Sequence, residues 1–349
     1  MRKLVGVLIL GLVAATLAAQ GVVAQEGNGE KRGPWWAYGY MEAPKPGEAS
    51  RDCPAPGGKP IDCANPRPAV NLDETPHSLN GSARKFSRKQ ISEWFGPADW
   101  YPEDHPTMPA IVAKGNEATG VRACGLCHMP NGKGRTENAA VSGLPVNYFI
   151  QTMEQFARGE RKSADPRKLN SKEMAAMAKA MTPEEIRAAA EYFGAIKWTP
   201  WVKVVETDNP PGYQATPSGM FHPKEGPNMP LGKRIVEVPV HLENTEALRD
   251  PRSGWIAYVP AGSIAKGEAL ATTGGNGKTV ACNICHGPDL MGLGDVPGIG
   301  GRTASYIARQ LYDMQQGTRK TELMKLVVEK LTEDDFVALA AYVASRPVQ

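Results

Sequence analysis

Residues 124–128 read Cys-Gly-Leu-Cys-His, and residues 282–286 read Cys-Asn-Ile-Cys-His. The chain has 349 residues, and these two stretches hold most of its six cysteines. In the Cys-x-x-Cys-His pattern, two thiols one helical turn apart form thioethers with the vinyl groups of a haem, and the histidine binds its iron. The sequence therefore predicts two covalently attached haem c groups. The predicted attachment residues are Cys124, Cys127, Cys282 and Cys285, and the predicted iron ligands are His128 and His286.

A zinc site or a dithiol redox site is the alternative for either motif alone, because paired cysteines serve both. The adjacent histidine, the duplication and an export signal at the N-terminus favour haem. That signal begins Met-Arg-Lys, continues with an apolar stretch to Ala19 and offers a cleavage site after Ala24. Retention as a membrane anchor is the alternative, but the apolar stretch is shorter than the span of about 20 residues that a bilayer requires. We therefore expect residues 1–24 to be a signal peptide and the protein to be periplasmic.

The two motifs belong to an internal repeat. Aligned on the motifs, the two copies match at many further positions, first without a gap and then after a short insertion in the first copy. Such self-similarity indicates that one structural unit occurs twice. The matched pairs include Tyr148 with Tyr306, Gly159 with Gly317, Arg161 with Arg319, Met174 with Met324, and Thr182 with Thr332.

Each copy is predicted to be a small group of helices. Apolar residues recur at helical spacing over 148–158 and 306–316, and a glycine follows each stretch as a stop. A final helix is predicted after Thr182 and Thr332, because their hydroxyls can accept hydrogen bonds from the amides of its first turn. The pattern predicts an all-α fold. Each unit needs a large apolar group such as haem to complete its core.

The sixth ligand of each iron decides whether the haem carries electrons or binds a substrate. Methionine is the usual ligand in electron-transfer cytochromes and closes the iron to small molecules. Of the 13 methionines in the chain, only Met174 and Met324 coincide in the repeat. We therefore predict that Met174 and Met324 are the axial ligands opposite the two histidines.

Arg161 and Arg319 also occupy matched positions. A guanidinium suits a carboxylate bidentately, so both are candidates to bind haem propionates, with a solvated charge at a helix end as the alternative. Four unrepeated histidines lie outside the two copies and are expected at the surface or in loops, although one could replace methionine on the first haem. They are His77, His105, His222 and His241.

The segment 296–311, Val-Pro-Gly-Ile-Gly-Gly-Arg-Thr-Ala-Ser-Tyr-Ile-Ala-Arg-Gln-Leu, is followed by Gly-Thr-Arg at 317–319 and Glu-Leu-Met at 322–324. It resembles the two-haem cytochrome c4 family of class I cytochromes, and the first copy is similar. The resemblance covers about residues 108–197 and 262–346. It implies two tandem class I cytochrome c domains with one His/Met haem each. The implied role is a periplasmic carrier between a quinol-oxidising complex or dehydrogenase and a terminal oxidase or reductase.

Two stretches have no counterpart in that family pattern, an N-terminal extension at 25–107 and an interdomain segment at 199–261. Both are rich in proline and aromatic residues and are predicted to be loop-rich wrapping; a docking surface for a dehydrogenase or oxidase is the alternative. In the extension, Cys53 and Cys63 close a short Pro/Gly loop and are predicted to form a disulfide. We call the predicted domain 108–198 the first unit and the predicted domain 262–349 the second unit.

The leading functional hypothesis is an electron carrier with no catalytic residues. One alternative is a diheme redox enzyme of the cytochrome c peroxidase or thiosulfate dehydrogenase type, which needs an iron that is open or can open. Another is a cytochrome subunit of a dehydrogenase complex, which allows peripheral association with a membrane. A formal charge of +3 and the absence of a basic-aromatic patch in the sequence argue against a nucleic-acid partner.

Overall fold

The computed structural model describes residues 34–48, 53–54, 57–63 and 74–348. The predicted signal peptide, residues 1–24, lies outside these ranges. Helices account for most of the regular structure, as predicted, but small sheets are also present. Among the described residues, no helix combines the length and the apolar character needed to cross a membrane.

The N-terminal extension consists of short elements. Single 3-10 turns lie at Trp35–Tyr38, Pro60–Cys63 and Pro102–Asp104. Strand β1 (His77–Ser78) pairs antiparallel with β2 (Lys85–Phe86), and helix α1 is Arg88–Ile91. The predicted disulfide between Cys53 and Cys63 is present, with the two Cα atoms 4.8 Å apart. The disulfide holds the last residue of the turn Pro60–Cys63, and this turn contacts the first unit.

The first unit contains five helices. They are α2 (Ala110–Ala113), α3 (Cys124–His128), α4 (Val146–Ala157), α5 (Asn170–Ala180) and α6 (Pro183–Gly194). The predicted cap is confirmed, because Thr182 Oγ1 accepts a hydrogen bond from the Glu185 amide at 3.2 Å and the Glu185 carboxylate accepts one from the Thr182 amide at 2.9 Å. The core of the unit includes Phe149, Met153 and Phe193.

The interdomain segment corrects the prediction of an all-α fold with a loop-rich linker. Its strands are β3 (Val202–Glu206), β4 (Tyr213–Ala215), β5 (Phe221–Pro223), β6 (Val236–Pro239) and β7 (Trp255–Val259). Strands β3, β7 and β6 form one sheet in that order, with β3 parallel and β6 antiparallel to β7, while β4 and β5 form a hairpin. The strands form because β-branched and aromatic residues suit a half-buried sheet.

The second unit repeats the helical order of the first. Its elements are α7 (Ser263–Gly277), α8 (Asn283–His286), the hairpin β8 (Gly292–Leu293) and β9 (Val296–Pro297), α9 (Ala304–Gln315), α10 (Lys325–Val328) and α11 (Glu333–Ser345). Left-handed backbone at Gly274–Asn276 breaks the end of α7. Helix α7 lies so close to α11 that a Cβ atom on Gly267 would clash with the carbonyl oxygen of Ala338.

The interdomain sheet completes the core of the second unit. Ala257 and Val259 of β7 share one buried cluster with Leu339 and Val343 of α11. The covering of α11 by a sheet explains why this helix is buried on nearly every side, whereas α6 has a half-exposed face. The domain boundaries at residues 108–198, 199–261 and 262–349 stay predictions.

Candidate haem-binding sites

The first attachment motif is a short helix of its own. Helix α3 brings Cys124 and Cys127 one turn apart with His128 at its end. The ring of His128 is held by its Nδ1 atom, which lies 2.8 Å from the carbonyl oxygen of Ala139. A carbonyl only accepts hydrogen bonds, so Nδ1 carries the proton and Nε2 is left with a lone pair for a metal.

The second motif reproduces this arrangement. His286 ends α8, and its Nδ1 atom lies 2.8 Å from the carbonyl oxygen of Pro297. In both units the accepting residue follows the histidine by eleven positions, so the hydrogen bond belongs to the repeat. This contact fixes the tautomer and the ring orientation that an axial iron ligand needs.

The four cysteines of the motifs carry free thiols. Burial raises the pKa of the Cys124 thiol to about 12 and that of the Cys282 thiol to about 11. Cys285 is exposed. Two free thiols one turn apart, with an oriented imidazole after them, are the donor set that haem c requires, so the residues of both units fit the group.

The predicted sixth ligands lie in equivalent places. Met174 is on α5, and Met324 directly precedes α10. Each is half-buried and packs against the hydrophobic core of its own unit. Two other methionines of the first unit, Met153 and Met177, are buried core residues. The ligand role of Met174 and Met324 stays a prediction.

Arg161 and Arg319 meet where the two units join, and neither occupies a solvated helix end. Their backbones form an antiparallel bridge. Arg161 donates to the hydroxyl of Tyr306 at 3.2 Å, and Arg319 donates to that of Tyr148 at 3.0 Å. Both guanidiniums also donate to the Oε1 atom of Gln310, at 3.0 and 2.9 Å. Because each arginine reaches the tyrosine of the other unit, these contacts are reciprocal.

This junction has an excess of positive charge. Burial alone would raise the pKa of Tyr148, but the charges of Arg319 and Arg161 outweigh burial and lower it to about 7. No carboxylate of the described chain accepts a hydrogen bond from either guanidinium. The two arginines therefore retain capacity for an anionic group such as a haem propionate.

Sequence reasoning missed the role of another buried arginine, Arg302. Arg302 donates to the carbonyl oxygens of Gly298 at 2.7 Å, Ala140 at 2.9 Å and Ser142 at 3.0 Å. Gly298 and Ala140 directly follow the two residues that hold the histidines, so one side chain connects both histidine-bearing loops. Arg302 also lies 4.7 Å from the centre of the Trp198 ring. The repeat could not reveal it, because the matched position in the first unit is Leu144.

The interdomain segment adds charged groups beside the first motif. Arg249 donates to the carbonyl oxygen of Leu126, between the two cysteines. Arg135 pairs with Glu137 at 2.5 Å and with Glu246 at 3.1 Å. Two of the unrepeated histidines also have partners, with His105 at 3.2 Å from Asp99 and His222 at 3.4 Å from Glu246. Of these contacts, the one from Arg249 places a side chain from outside the repeat directly against the first motif.

Comparisons with known proteins support the resemblance. No protein-family model matches the chain. The thiosulfate dehydrogenase electron acceptor of Thiomonas intermedia is 26% identical over 262 residues, which cover 73% of this chain and 86% of that protein. Cytochrome c4 of Pseudomonas aeruginosa is 36% identical over 87 residues, 23% of this chain and 43% of its own. Cytochrome c4 of Stutzerimonas stutzeri is 33% identical over 109 residues, 29% of this chain and 52% of its own.

Solved structures also align with the chain. Thiosulfate dehydrogenase (TsdBA) from Marichromatium purpuratum aligns with a TM-score of 0.45 and 26% identity, over 68% of this chain and 39% of that chain. Reduced recombinant cytochrome c4 from Pseudomonas stutzeri aligns with a TM-score of 0.41 and 20% identity, over 64% of this chain and 93% of that chain. The sequence matches confirm that the chain has cytochrome c4-like relatives, and these relatives are named as electron-carrier cytochromes.

Proposed function

We propose that this chain is an electron-carrying c-type cytochrome with two haems, one in each unit. The observation that carries the proposal is the matched pair of hydrogen bonds from His128 to Ala139 and from His286 to Pro297. Each bond leaves Nε2 of an oriented ring beside two free thiols. Haem c supplies, when bound, an iron that gains or loses one electron.

The residues of the chain then hold the haem and tune it. The four motif cysteines would attach the two haems, and His128 and His286 would each bind one iron. Met174 and Met324 are the proposed second ligands, and a methionine ligand would close the iron to small molecules and raise its potential. Arg161 and Arg319 are proposed to bind haem propionates. Their position supports this proposal, because they contact Tyr306 and Tyr148 and no carboxylate of the described chain accepts a hydrogen bond from them.

The proposed electron donor is a thiosulfate dehydrogenase, and the proposed acceptor is a terminal oxidase or reductase. The donor is inferred from the Thiomonas intermedia relative, whose match extends over most of both chains. The export signal and the Cys53–Cys63 disulfide support a periplasmic location, because disulfides persist in oxidising compartments.

The test is the absorption spectrum of the chain produced in a host that attaches haem c. We expect two haems per chain, a methionine-to-ferric-iron charge-transfer band, no binding of carbon monoxide, and rapid reduction by purified thiosulfate dehydrogenase supplied with thiosulfate. Carbon monoxide binding to one haem, together with peroxide reduction, would instead establish the diheme enzyme.

A stable complex with the dehydrogenase distinguishes a subunit from a free carrier. We expect sedimentation of the chain alone to show a single species that does not aggregate. We expect sedimentation of the mixture to show reversible association. Aggregation of the chain in the absence of the dehydrogenase, reversed by adding it, would favour the subunit.

A further inference from the structure

The second attachment motif has an exposed apolar surface around it. Four side chains form it: Val280 is 39% exposed, Ile284 67%, Leu323 86% and Leu326 67%. Ile284 lies between the two cysteines of the motif, and the two leucines flank Met324. A hydrogen bond of 2.6 Å from Thr279 Oγ1 to the carbonyl oxygen of Val327 joins the two segments. We call these four residues the apolar face.

The matched positions of the first unit are less exposed to solvent. The repeat matches the apolar face with Arg122, Leu126, Glu173 and Ala176. Leu126 is only 4% exposed and Ala176 only 6%. Arg122 and Glu173 form an ion pair at 3.2 Å, so these two positions are neighbours in the first unit. The same region is therefore buried in one unit and open in the other.

The chain itself covers this region of the first unit. The amide of Ala123 donates to the carbonyl oxygen of Trp94 at 3.0 Å, and Arg122 lies 5.7 Å from the centre of the Trp94 ring. Arg249 reaches Leu126 from the interdomain segment, and the turn Pro60–Cys63 contacts α5. Trp94 and the turn belong to the N-terminal extension, and Arg249 belongs to the interdomain segment. Neither segment is part of the repeat, so the repeat gives the second unit no equivalent of these three covering groups.

We propose that the apolar face of the second unit is the docking surface for a partner redox protein with an apolar, weakly charged contact surface. The first unit shows that a polypeptide segment can pack on this region. Electrons then pass through the second unit, and each encounter moves one electron between partner and chain without making or breaking a bond. The inference rests on the proposed function and adds which unit meets the partner.

The charges around the apolar face favour such a partner. The segment carrying Leu323 and Leu326 has two exposed acids and two exposed lysines, Glu322, Glu329, Lys325 and Lys330. A balanced rim gives little steering towards a strongly acidic protein or an anionic membrane surface. Affinity must then come mainly from apolar side chains near the centre of the contact, where binding energy usually concentrates.

The experiment compares Ile284→Glu and Leu323→Glu with Leu293→Glu in the holo-protein. Leu293 is the matched control, because it is 64% exposed but lies on the β8–β9 hairpin outside the apolar face. With purified thiosulfate dehydrogenase as the probe, calorimetry is expected to give a Kd at least tenfold higher for the first two variants and within twofold of the original for Leu293→Glu. Similar losses for all three variants would overturn the proposal.

A second measurement needs no other protein. Electron self-exchange between the oxidised and reduced holo-protein, followed by NMR line broadening, is expected to be at least tenfold slower in Ile284→Glu and Leu323→Glu and unchanged in Leu293→Glu. If the wild-type protein does not bind thiosulfate dehydrogenase, the proposed donor is wrong, and self-exchange still decides the docking surface. Faster exchange at the first haem would overturn the proposal. So would a wild-type dimer that Ile284→Glu dissociates, because the face would then join two copies.

Discussion

The two units share the frame that orients their histidines and differ in what surrounds it. The ring contact to a carbonyl eleven residues later and the threonine cap of the last helix occur in both. The first motif is enclosed by the extension and by Arg249, whereas the second unit has a sheet behind α11 and an open motif. Local sequence thus sets the orientation of each histidine, and the unrepeated segments set the environment of each attachment motif.

The largest expected effect is the loss of one haem from one unit. The double substitution Cys282→Ser and Cys285→Ser removes both thioethers of the second unit, so the haem content should fall from two to one per chain. The measurement is the pyridine haemochrome absorbance per mole of protein. The reciprocal change, Cys124→Ser with Cys127→Ser, should give the same ratio. Loss of both haems in either variant would show that the units do not load independently.

Gly267→Ala tests the tight packing that distinguishes the second unit. The added methyl group meets the carbonyl oxygen of Ala338, so α7 and α11 must move apart, at a cost of about 3 kcal/mol. Chemical denaturation measures the change in the free energy of unfolding. Gly96→Ala is the control, since a Cβ atom there lies 3.9 Å from the nearest side-chain atom, and its effect should stay within about 0.5 kcal/mol. Equal costs would contradict the close crossing.

Arg302 joins the two units, so Arg302→Leu should affect both haems. Three carbonyl oxygens, two of them buried, lose their donor, which we expect to destabilise the protein by about 2 kcal/mol. Loss of a buried positive charge should also lower both midpoint potentials, measured by spectroelectrochemical titration. Arg302→Lys keeps the charge and should restore most of the potential but not the stability. A change at the second haem alone would limit the role of Arg302 to its own loop.

The helix caps give a smaller and more even effect. Thr182→Ala and Thr332→Ala each remove a hydroxyl that accepts from or donates to the third residue of the last helix, at a cost of about 1 kcal/mol each. Thermal unfolding of the two variants measures the difference. A clearly larger loss at Thr332 would indicate that its partner Asp335 depends on the cap.

Mild acid should reduce the stability contributed by the cap of the second unit more than that contributed by the cap of the first. Burial raises the pKa of Asp335, but the hydrogen bonds from Lys278, Thr332 and Lys266 outweigh it and hold the pKa well below its ordinary value. Because the folded pKa lies below the unfolded one, the stabilisation is present above about pH 4 and is lost as pH falls towards the folded pKa. Asp335→Asn should reduce this pH dependence in urea titrations from pH 5 to pH 3, and Glu185→Gln in the first unit is the control.

The sequence was sufficient for the main helices that the repeat encodes. The helix predicted at 148–158 is Val146–Ala157, and the one predicted at 306–316 is Ala304–Gln315, because apolar spacing and a following glycine determine both. Both last helices begin after the predicted threonine. Thr182 Oγ1 accepts from the Glu185 amide as predicted, whereas Thr332 Oγ1 donates to the Asp335 carboxylate. These features depend on residues within about one helix length of each other.

Features that depend on distant contacts escaped prediction. The interdomain strands are short and interrupted by proline, and they form because β3 and β7, about 50 residues apart, pair beneath α11. The carbonyls of Ala139 and Pro297 carry no side-chain signal, and Arg302 has no counterpart in the repeat. For Arg302, the available hint in the sequence was an arginine that directly follows the glycine-rich segment 298–301.

The crossed contacts between the units have the form of a homodimer interface. Arg161 reaches Tyr306 and Arg319 reaches Tyr148, while the amide of Lys162 donates to Thr318 and that of Lys320 donates to Glu160. These four contacts form two mirror-related pairs, as in an isologous association between identical subunits. Both sides of these four contacts therefore use the same positions of the repeat, so a chain carrying one unit alone would be able to form them with a second copy of itself.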